Sequence, residues 1–126
     1  MIREDVLLFF QEKTRLLPLY EELEGLIFSR LEGVQVRVQK TQVSFYQKRL
    51  FACVSFTPVR PKKERPPLFF TLTLGLGRRL DSPRVDAATE PYPGRWTHHM
   101  MLSDSAQLDK ELVDWIIEAS QFSQNK

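Results

Sequence analysis

The sequence has little cysteine, little histidine and no long hydrophobic run. Cys53 is the one cysteine among 126 residues, so an intramolecular disulfide is excluded. A lone cysteine in an apolar strand is expected to be a small, inert, buried side chain. No apolar stretch approaches the ~20 residues that cross a bilayer, and the first residues lack the basic and apolar regions of a signal peptide. We therefore expect a cytoplasmic protein that makes no membrane contact.

Motifs for nucleotide, metal and hydrolytic sites are also missing. Gly75 and Gly77 are not followed by the third glycine and the helix of a dinucleotide-binding turn, and there is no P-loop or nucleophile elbow. His98 and His99 are adjacent, and neighbours in a strand point to opposite faces, so the pair cannot chelate one metal ion. The strand segments carry few acids, which disfavours acid–base hydrolysis. We predict no catalytic residues, no metal and no cofactor.

Hydrophobic periodicity predicts helices, then strands, then a helix, within a single domain over residues 1–126. Apolar residues recur every three or four positions up to Leu31, with a break at residues 14–17 because Pro18 is tolerated only in a first helical turn. Gly33 is placed to end this helix in a left-handed conformation. An alternating pattern over 34–56 indicates strands joined by a tight connection.

The second half of the chain continues this pattern. Further strands are predicted at 68–76 and 95–103, separated by long loops at 57–67 and 77–94 that are rich in proline. From residue 104 an apolar stripe predicts a helix, with Asp104 as its cap. The fold class is therefore α+β: a two-layer sandwich of a mainly antiparallel sheet of four to five strands, with two N-terminal helices and one C-terminal helix on one face. The opposite face of the sheet is expected to be at least partly open.

Charge is segregated along the chain although the net charge is only +2. Residues 34–95 hold 12 basic and 4 acidic side chains, whereas residues 1–33 hold 4 and 7 and residues 96–126 hold 2 and 5. A basic sheet between acidic helices favours an anionic partner, either nucleic acid or a phosphorylated small molecule. The alternative is that these cations only solvate loops and protect sheet edges.

Strand parity predicts which polar side chains share the open face. In the last strand His98 falls on the helix side, where we expect it to donate to a backbone carbonyl, and His99 falls on the other side with a pKa near neutrality. The open face then carries Gln42, Ser44, Tyr46, Thr71, Thr73, Thr97, His99 and Ser103. The predicted ligand-binding residues are Arg37, Lys40, Gln42, Ser44, Tyr46, Arg95 and His99. An ordinary solvated sheet face, with threonine present for its strand preference, is the alternative.

Three function classes follow from this pattern. The first is a non-catalytic module that binds an anionic or polar ligand on the open face, and we favour it over an enzyme. The second is an enzyme with a sparse site of Lys40, Tyr46 and His99, which requires a deep pocket. The third is a protein-interaction domain, such as a homodimer formed through an exposed apolar patch. That patch would consist of Phe51, Phe69 and Met101.

Several segments together resemble one family. They are residues 36–46 (V-R-V-Q-K-T-Q-V-S-F-Y), Phe51-Ala52, residues 96–99 (W-T-H-H), residues 108–112 (L-D-K-E-L) and residues 115–119. The chain resembles, from about Val6 to Phe122, a bacterial and archaeal family of domains of unknown function numbered 5655. The Q-K-T-Q-x-S-F segment is the most specific part, and the loop at 57–67 departs from the common pattern.

The resemblance implies a small α+β domain with a sheet backed by helices. Members of that family resemble a module that occurs alone or at the C-terminal end of longer proteins, some with a nuclease-like domain and some labelled predicted transport proteins. An accessory or binding role is implied, and no catalytic residue is.

Overall fold

A six-stranded antiparallel sheet with helices packed on one face makes up the structure, a computed structural model in which residues 3–125 are described. The helices are α1 (Glu4–Phe9), α2 (Leu17–Arg30) and α3 (Lys110–Gln124). The strands are β1 (Gln35–Val38), β2 (Gln42–Tyr46), β3 (Leu50–Ser55), β4 (Phe70–Leu76), β5 (Ala87–Tyr92) and β6 (Arg95–Leu102). Their order in the sheet is β1-β2-β3-β4-β6-β5. The predicted fold class is confirmed, with six strands in place of four to five.

The N-terminal helices follow the predicted break. A 3₁₀ turn at Thr14–Leu16 leads into α2, and Pro18 lies in the first turn of that helix, where no backbone donor is lost. The helix ends at Arg30 and is followed by an extended residue. Gly33 does take the left-handed conformation, with φ of +68°, but it forms the turn into β1 and not the end of the helix.

The predicted loop at 77–94 is wrong in its second half, which contains β5. This strand lies at the edge of the sheet and pairs only with β6. It is largely exposed, so it lacks the apolar alternation that reveals a half-buried strand. An edge position also tolerates Pro91, whose missing N–H would break the hydrogen-bond ladder of a central strand.

The C-terminal helix starts later than predicted. Asp104 does form a capping box with Gln107, but it caps a 3₁₀ turn at Ser105–Gln107. The cap of α3 is Asp109, whose carboxylate accepts a hydrogen bond from the Leu112 N–H at 3.1 Å. Because Asp104 caps the 3₁₀ turn and Asp109 caps α3, the α-helix starts at residue 110.

The core lies between the helices and one face of the sheet. Its strand residues alternate as predicted and include Val43, Phe45, Ala52, Val54, Phe70, Leu72, Leu74, Met100 and Leu102. Because side chains alternate across a strand, Ser44, Cys53, Thr73 and His99 project from the opposite face. The parity prediction is confirmed for these positions. No helix within residues 3–125 is long and apolar enough to cross a lipid bilayer.

Candidate functional site

A row of polar side chains crosses four strands of the uncovered sheet face. Ser44 pairs with Cys53, Cys53 with Thr73, and Thr73 with His99. A second row runs beside the first through Gln42, Ser55, Thr71 and Met101. Since each row joins directly opposed residues, their side chains lie close together on one surface.

Hydrogen bonds fix the side chains of the first row, some to one another and some to neighbouring glutamines. Thr73 Oγ1 lies 2.9 Å from His99 Nδ1, and the same hydroxyl is hydrogen-bonded to the Cys53 thiol. Gln42 Nε2 donates to Ser44 Oγ at 2.7 Å, and Ser44 Oγ donates to Gln39 Oε1 at 2.9 Å. The side chains are therefore held in place before any ligand arrives.

A pocket of about 330 Å³ opens on this face. Its lining consists of Gln42, Cys53, Ser55, Thr57, Val59, Thr71, Thr73 and His99. Six of these eight residues belong to strands, and the other two come from the segment that follows β3. The volume is at the small end of the range for ligand sites, roughly 300–1,000 Å³.

The start of the 57–67 loop forms one wall of the pocket, because several contacts fix it to the sheet. Thr71 Oγ1 donates to the Thr57 carbonyl at 2.6 Å, and the Val59 N–H donates to Met101 Sδ at 3.5 Å. Arg60 Nε donates to Asp86 Oδ1 at 2.7 Å. The other carboxylate oxygen, Asp86 Oδ2, accepts from the Met101 N–H at 2.8 Å.

The two titratable side chains in the pocket are both uncharged at neutral pH. Burial raises the pKa of the Cys53 thiol, and the hydrogen bond from Thr73 opposes this only in part. Burial lowers the pKa of His99, which favours the neutral imidazole. The Nε2 atom of His99 has no hydrogen-bond partner within residues 3–125, since the ring makes its hydrogen bond through Nδ1.

The structure separates the predicted ligand-binding residues into groups. Gln42 and His99 line the pocket, whereas Ser44 is buried beside it with its hydroxyl already occupied. Arg37 lies over the ring of Tyr46, with 4.4 Å between the guanidinium carbon and the ring centroid. This pair sits toward the β1 edge of the same sheet and does not line the pocket.

Lys40 and Arg95 do not line the pocket either. Lys40 is exposed in the turn between β1 and β2, where it lines a groove of about 520 Å³ with residues of α1 and Phe56. The guanidinium of Arg95 covers Gly75, since a Cβ atom on that glycine would be 2.7 Å from Arg95 Nη2. The three residues of the sparse enzyme site, Lys40, Tyr46 and His99, are therefore not brought together.

His98 is fully buried, as predicted, but its hydrogen bond has the opposite direction. Its Nε2 atom accepts from the Leu80 N–H at 2.9 Å, so it does not donate to a carbonyl there. Its Nδ1 atom meets no partner with hydrogen-bond geometry within the described chain, although the backbone carbonyl of Leu74 acts on the ring and partly opposes the effect of burial on its pKa. The pKa of His98 is lowered, mainly by burial. The donor, Leu80, lies in the connection between β4 and β5. The residue pattern of β6 alone does not reveal that contact.

Six of the eight pocket residues are outside the predicted ligand-binding set. Thr71 and Thr73 were predicted to lie on the open face, whereas Cys53, Ser55, Thr57 and Val59 were not. Cys53 was expected to be an inert core residue, but it is half-buried on the open face. Cys53 is adjacent to the core residue Val54 in β3. Because side chains alternate across a strand, this signal in the sequence could have placed Cys53 on the open face. Thr57 and Val59 carry no such signal, because their position depends on the distant contact between Arg60 and Asp86.

Three arginines of the basic segment form ion pairs inside the molecule. Arg78 makes two hydrogen bonds to Glu118 of α3, at 2.8 and 2.9 Å. Arg84 pairs with Asp109 and Glu111 at the start of α3. The Arg78 and Arg84 pairs therefore use part of the predicted charge asymmetry to join the sheet layer to α3, whereas the Arg60 pair lies within the basic segment.

The predicted apolar patch is wrong. Phe51 and Met101 are both buried, Phe51 in the hydrophobic core and Met101 beneath the 57–67 loop, and Phe69 is half-buried. Nor does the described chain contain a group of three or more His, Cys, Asp or Glu side chains that could hold a metal ion.

Comparison with known families matches residues 8–123 to a family described as Domain of unknown function (DUF5655). Neither the curated proteins nor the solved structures give a match. The matched region covers all but seven residues at the start and three at the end of the 126-residue chain, and so includes the whole sheet and all of α3 except its last residue. The chain therefore belongs to the DUF5655 family.

Proposed function

We propose that this protein is a non-catalytic binding module that holds a small polar ligand in the pocket on the uncovered sheet face. The observation that carries this proposal is the convergence of four strands on one cavity of about 330 Å³ with hydroxyl, amide and imidazole groups in its wall. Polar groups held by strands and by hydrogen bonds to one another can orient a ligand without much loss of entropy.

The chemistry of the lining supports binding over catalysis. No Asp, Glu, Lys or Arg is among the eight lining residues, so the pocket lacks a carboxylate or an ammonium group for acid–base work. The pKa of Cys53 is raised by burial, whereas a nucleophilic cysteine needs a lowered pKa. The cytoplasmic, bacterial setting expected from the sequence is retained as part of this proposal.

A ligand screen by NMR tests the proposal. The probes are the common ribonucleosides, common monosaccharides and the monophosphates of both, each added to the ¹⁵N-labelled protein at millimolar concentration. We expect at least one probe to shift the backbone amide signals of Cys53, Thr73 and His99 in a saturable way.

Two threonine variants locate the binding. Thr73→Val keeps the side-chain shape and removes the hydroxyl that holds His99 Nδ1, so the imidazole loses its fixed orientation and the observed binding should weaken about tenfold. Thr97→Val is the matched control, since Thr97 pairs with Gly75 in the same pair of strands and does not line the pocket. If no probe shifts the pocket signals, or if both variants weaken binding equally, the proposal is wrong.

A further inference from the structure

The wall of the sheet-face pocket carries no formal charge at neutral pH. Its two titratable groups, Cys53 and His99, are both kept neutral by burial. The remaining six lining residues are an amide, four hydroxyl-bearing side chains and a valine. An anion entering this pocket would lose hydration and gain no counter-charge.

The arginines on or beside this sheet face lie outside the pocket lining. Arg60, at the end of the loop wall, is paired with Asp86. Arg37 lies on the ring of Tyr46, and Arg95 lies over Gly75. None of these arginines lines the pocket, so they do not supply the counter-charge that a phosphate needs.

Several polar atoms of the lining remain available to a ligand. Thr73 is occupied by Cys53 and His99, and the Thr71 hydroxyl donates to the Thr57 carbonyl. Within the described residues, His99 Nε2 and Gln42 Oε1 have no partner, because His99 uses Nδ1 and Gln42 uses Nε2. Ser55 Oγ accepts from the Thr57 N–H at 3.4 Å and keeps its own proton to donate.

We infer that the pocket selects an uncharged, hydroxyl-bearing small molecule over its phosphorylated counterpart, with His99 Nε2 and Gln42 Oε1 as its polar contacts. This inference rests on the proposed function and gives its ligand class. It replaces the anionic ligand that the basic composition of residues 34–95 suggests. Selectivity arises because a hydroxyl group can exchange water for the pocket's hydrogen bonds, whereas a phosphate leaves its charge uncompensated.

Matched pairs of probes test this selectivity. Adenosine is compared with adenosine monophosphate, and ribose with ribose 5-phosphate, by the shifts of the Cys53, Thr73 and His99 amide signals at pH 8. Every binder found in the wider screen is compared with its own phosphorylated or dephosphorylated partner. We expect the uncharged member of a binding pair to bind at least tenfold more tightly and with no dependence on salt up to about 0.5 M, where exposed charges are screened.

A charge-adding variant supplies an internal control. Gln42→Lys places an ammonium group in the pocket wall and should reverse the preference within each pair, raising the affinity for the phosphorylated member about tenfold or more. Gln35→Lys adds the same charge on exposed β1 of the same sheet, away from the pocket, and should leave the preference unchanged.

The outcomes separate this inference from the proposed function. Tighter, salt-sensitive binding of the phosphorylated member at the pocket of the unmodified protein would overturn the inference and leave the binding function standing. If Gln42→Lys and Gln35→Lys raised the affinity for the phosphorylated probe equally, the inference would also be overturned. The charge preference would then not depend on the side chains that line the pocket. Absence of pocket shifts with every pair would overturn the binding function itself.

Discussion

Mild acid should destabilise this fold through His98. The imidazole is 0% exposed, and its Nε2 atom accepts the Leu80 N–H at 2.9 Å. A proton on Nε2 would remove that acceptor and place a positive charge among core side chains. Arg78 makes the charge less favourable, while Glu118 and the carbonyl of Leu74 only partly oppose the effect of burial on the pKa. Protonation should therefore occur much more readily in the unfolded chain.

The magnitude follows from the lowered pKa. Above about pH 7.5, one unit above the unperturbed pKa of 6.5, His98 is almost entirely neutral in both states and contributes little pH dependence. As the pH falls below that value, the unfolded chain binds the proton first, and the free energy of unfolding decreases by up to about 1.4 kcal/mol per pH unit. The decrease stops at the lower pKa of the folded state. His99, whose pKa is also lowered by burial, adds a second contribution of the same sign over the same range.

Asp109 acts in a separate pH range. The pKa of Asp109 is lowered, first by its hydrogen bond from Arg84 and then by the Leu112 N–H. Its stabilising contribution is therefore present above the unfolded pKa of about 3.9 and is lost as the pH falls below it. A loss of stability between pH 6.5 and 5 can thus be assigned to the histidines.

Urea unfolding between pH 8 and pH 5 measures this effect. We expect the free energy of unfolding to fall by about 1–3 kcal/mol across this range for the unmodified protein. His98→Gln, whose amide oxygen can accept the Leu80 N–H, should lose about half of the slope or more, and His99→Gln should remove the rest. A His98→Gln variant with the full original slope would refute the reasoning. If that variant does not fold, an NMR titration in which the His98 ring of the unmodified protein protonates at pH 6.5 or above would refute it equally.

Two further substitutions test how the pocket wall and the sheet face are held. Asp86→Asn removes the charge opposite Arg60 in a pair whose carboxylate side chain is 10% exposed, so it should cost about 1–3 kcal/mol in urea unfolding and speed tryptic cleavage after Lys62 and Lys63 of the same loop. Unchanged cleavage would show that the pair does not fix the loop. Gly75→Ala should change stability by less than about 1 kcal/mol, because the Arg95 guanidinium is the mobile end of a side chain and can move aside. A loss of several kcal/mol in the same assay would mean that Arg95 is rigidly held.

The uncovered face could be predicted because buried residues determine strand parity. Val43 and Phe45 must face the helices, so Ser44 between them cannot, and the same logic assigns Thr73 and His99. The pocket itself could not be predicted in this way. Its loop wall depends on Arg60 meeting Asp86 across 26 residues of sequence, and periodicity contains no information about such a pair. The exposed strand β5 escaped detection for a related reason, since no apolar face marks it.

The same limit explains why sequence charge is a poor guide to the ligand here. The basic segment of residues 34–95 suggests an anion, yet Arg78 and Arg84 attach to acids of α3, and Arg60 attaches to Asp86 within its own segment. When α3 packs on the sheet, arginines of the basic segment meet acidic side chains of the helical segment and form ion pairs with them. Ion pairs use three of the twelve cations in this segment. The side chains that line the pocket are neutral hydrogen-bonding groups, so our proposal of an uncharged ligand rests on the pocket wall and not on the net charge of the segment.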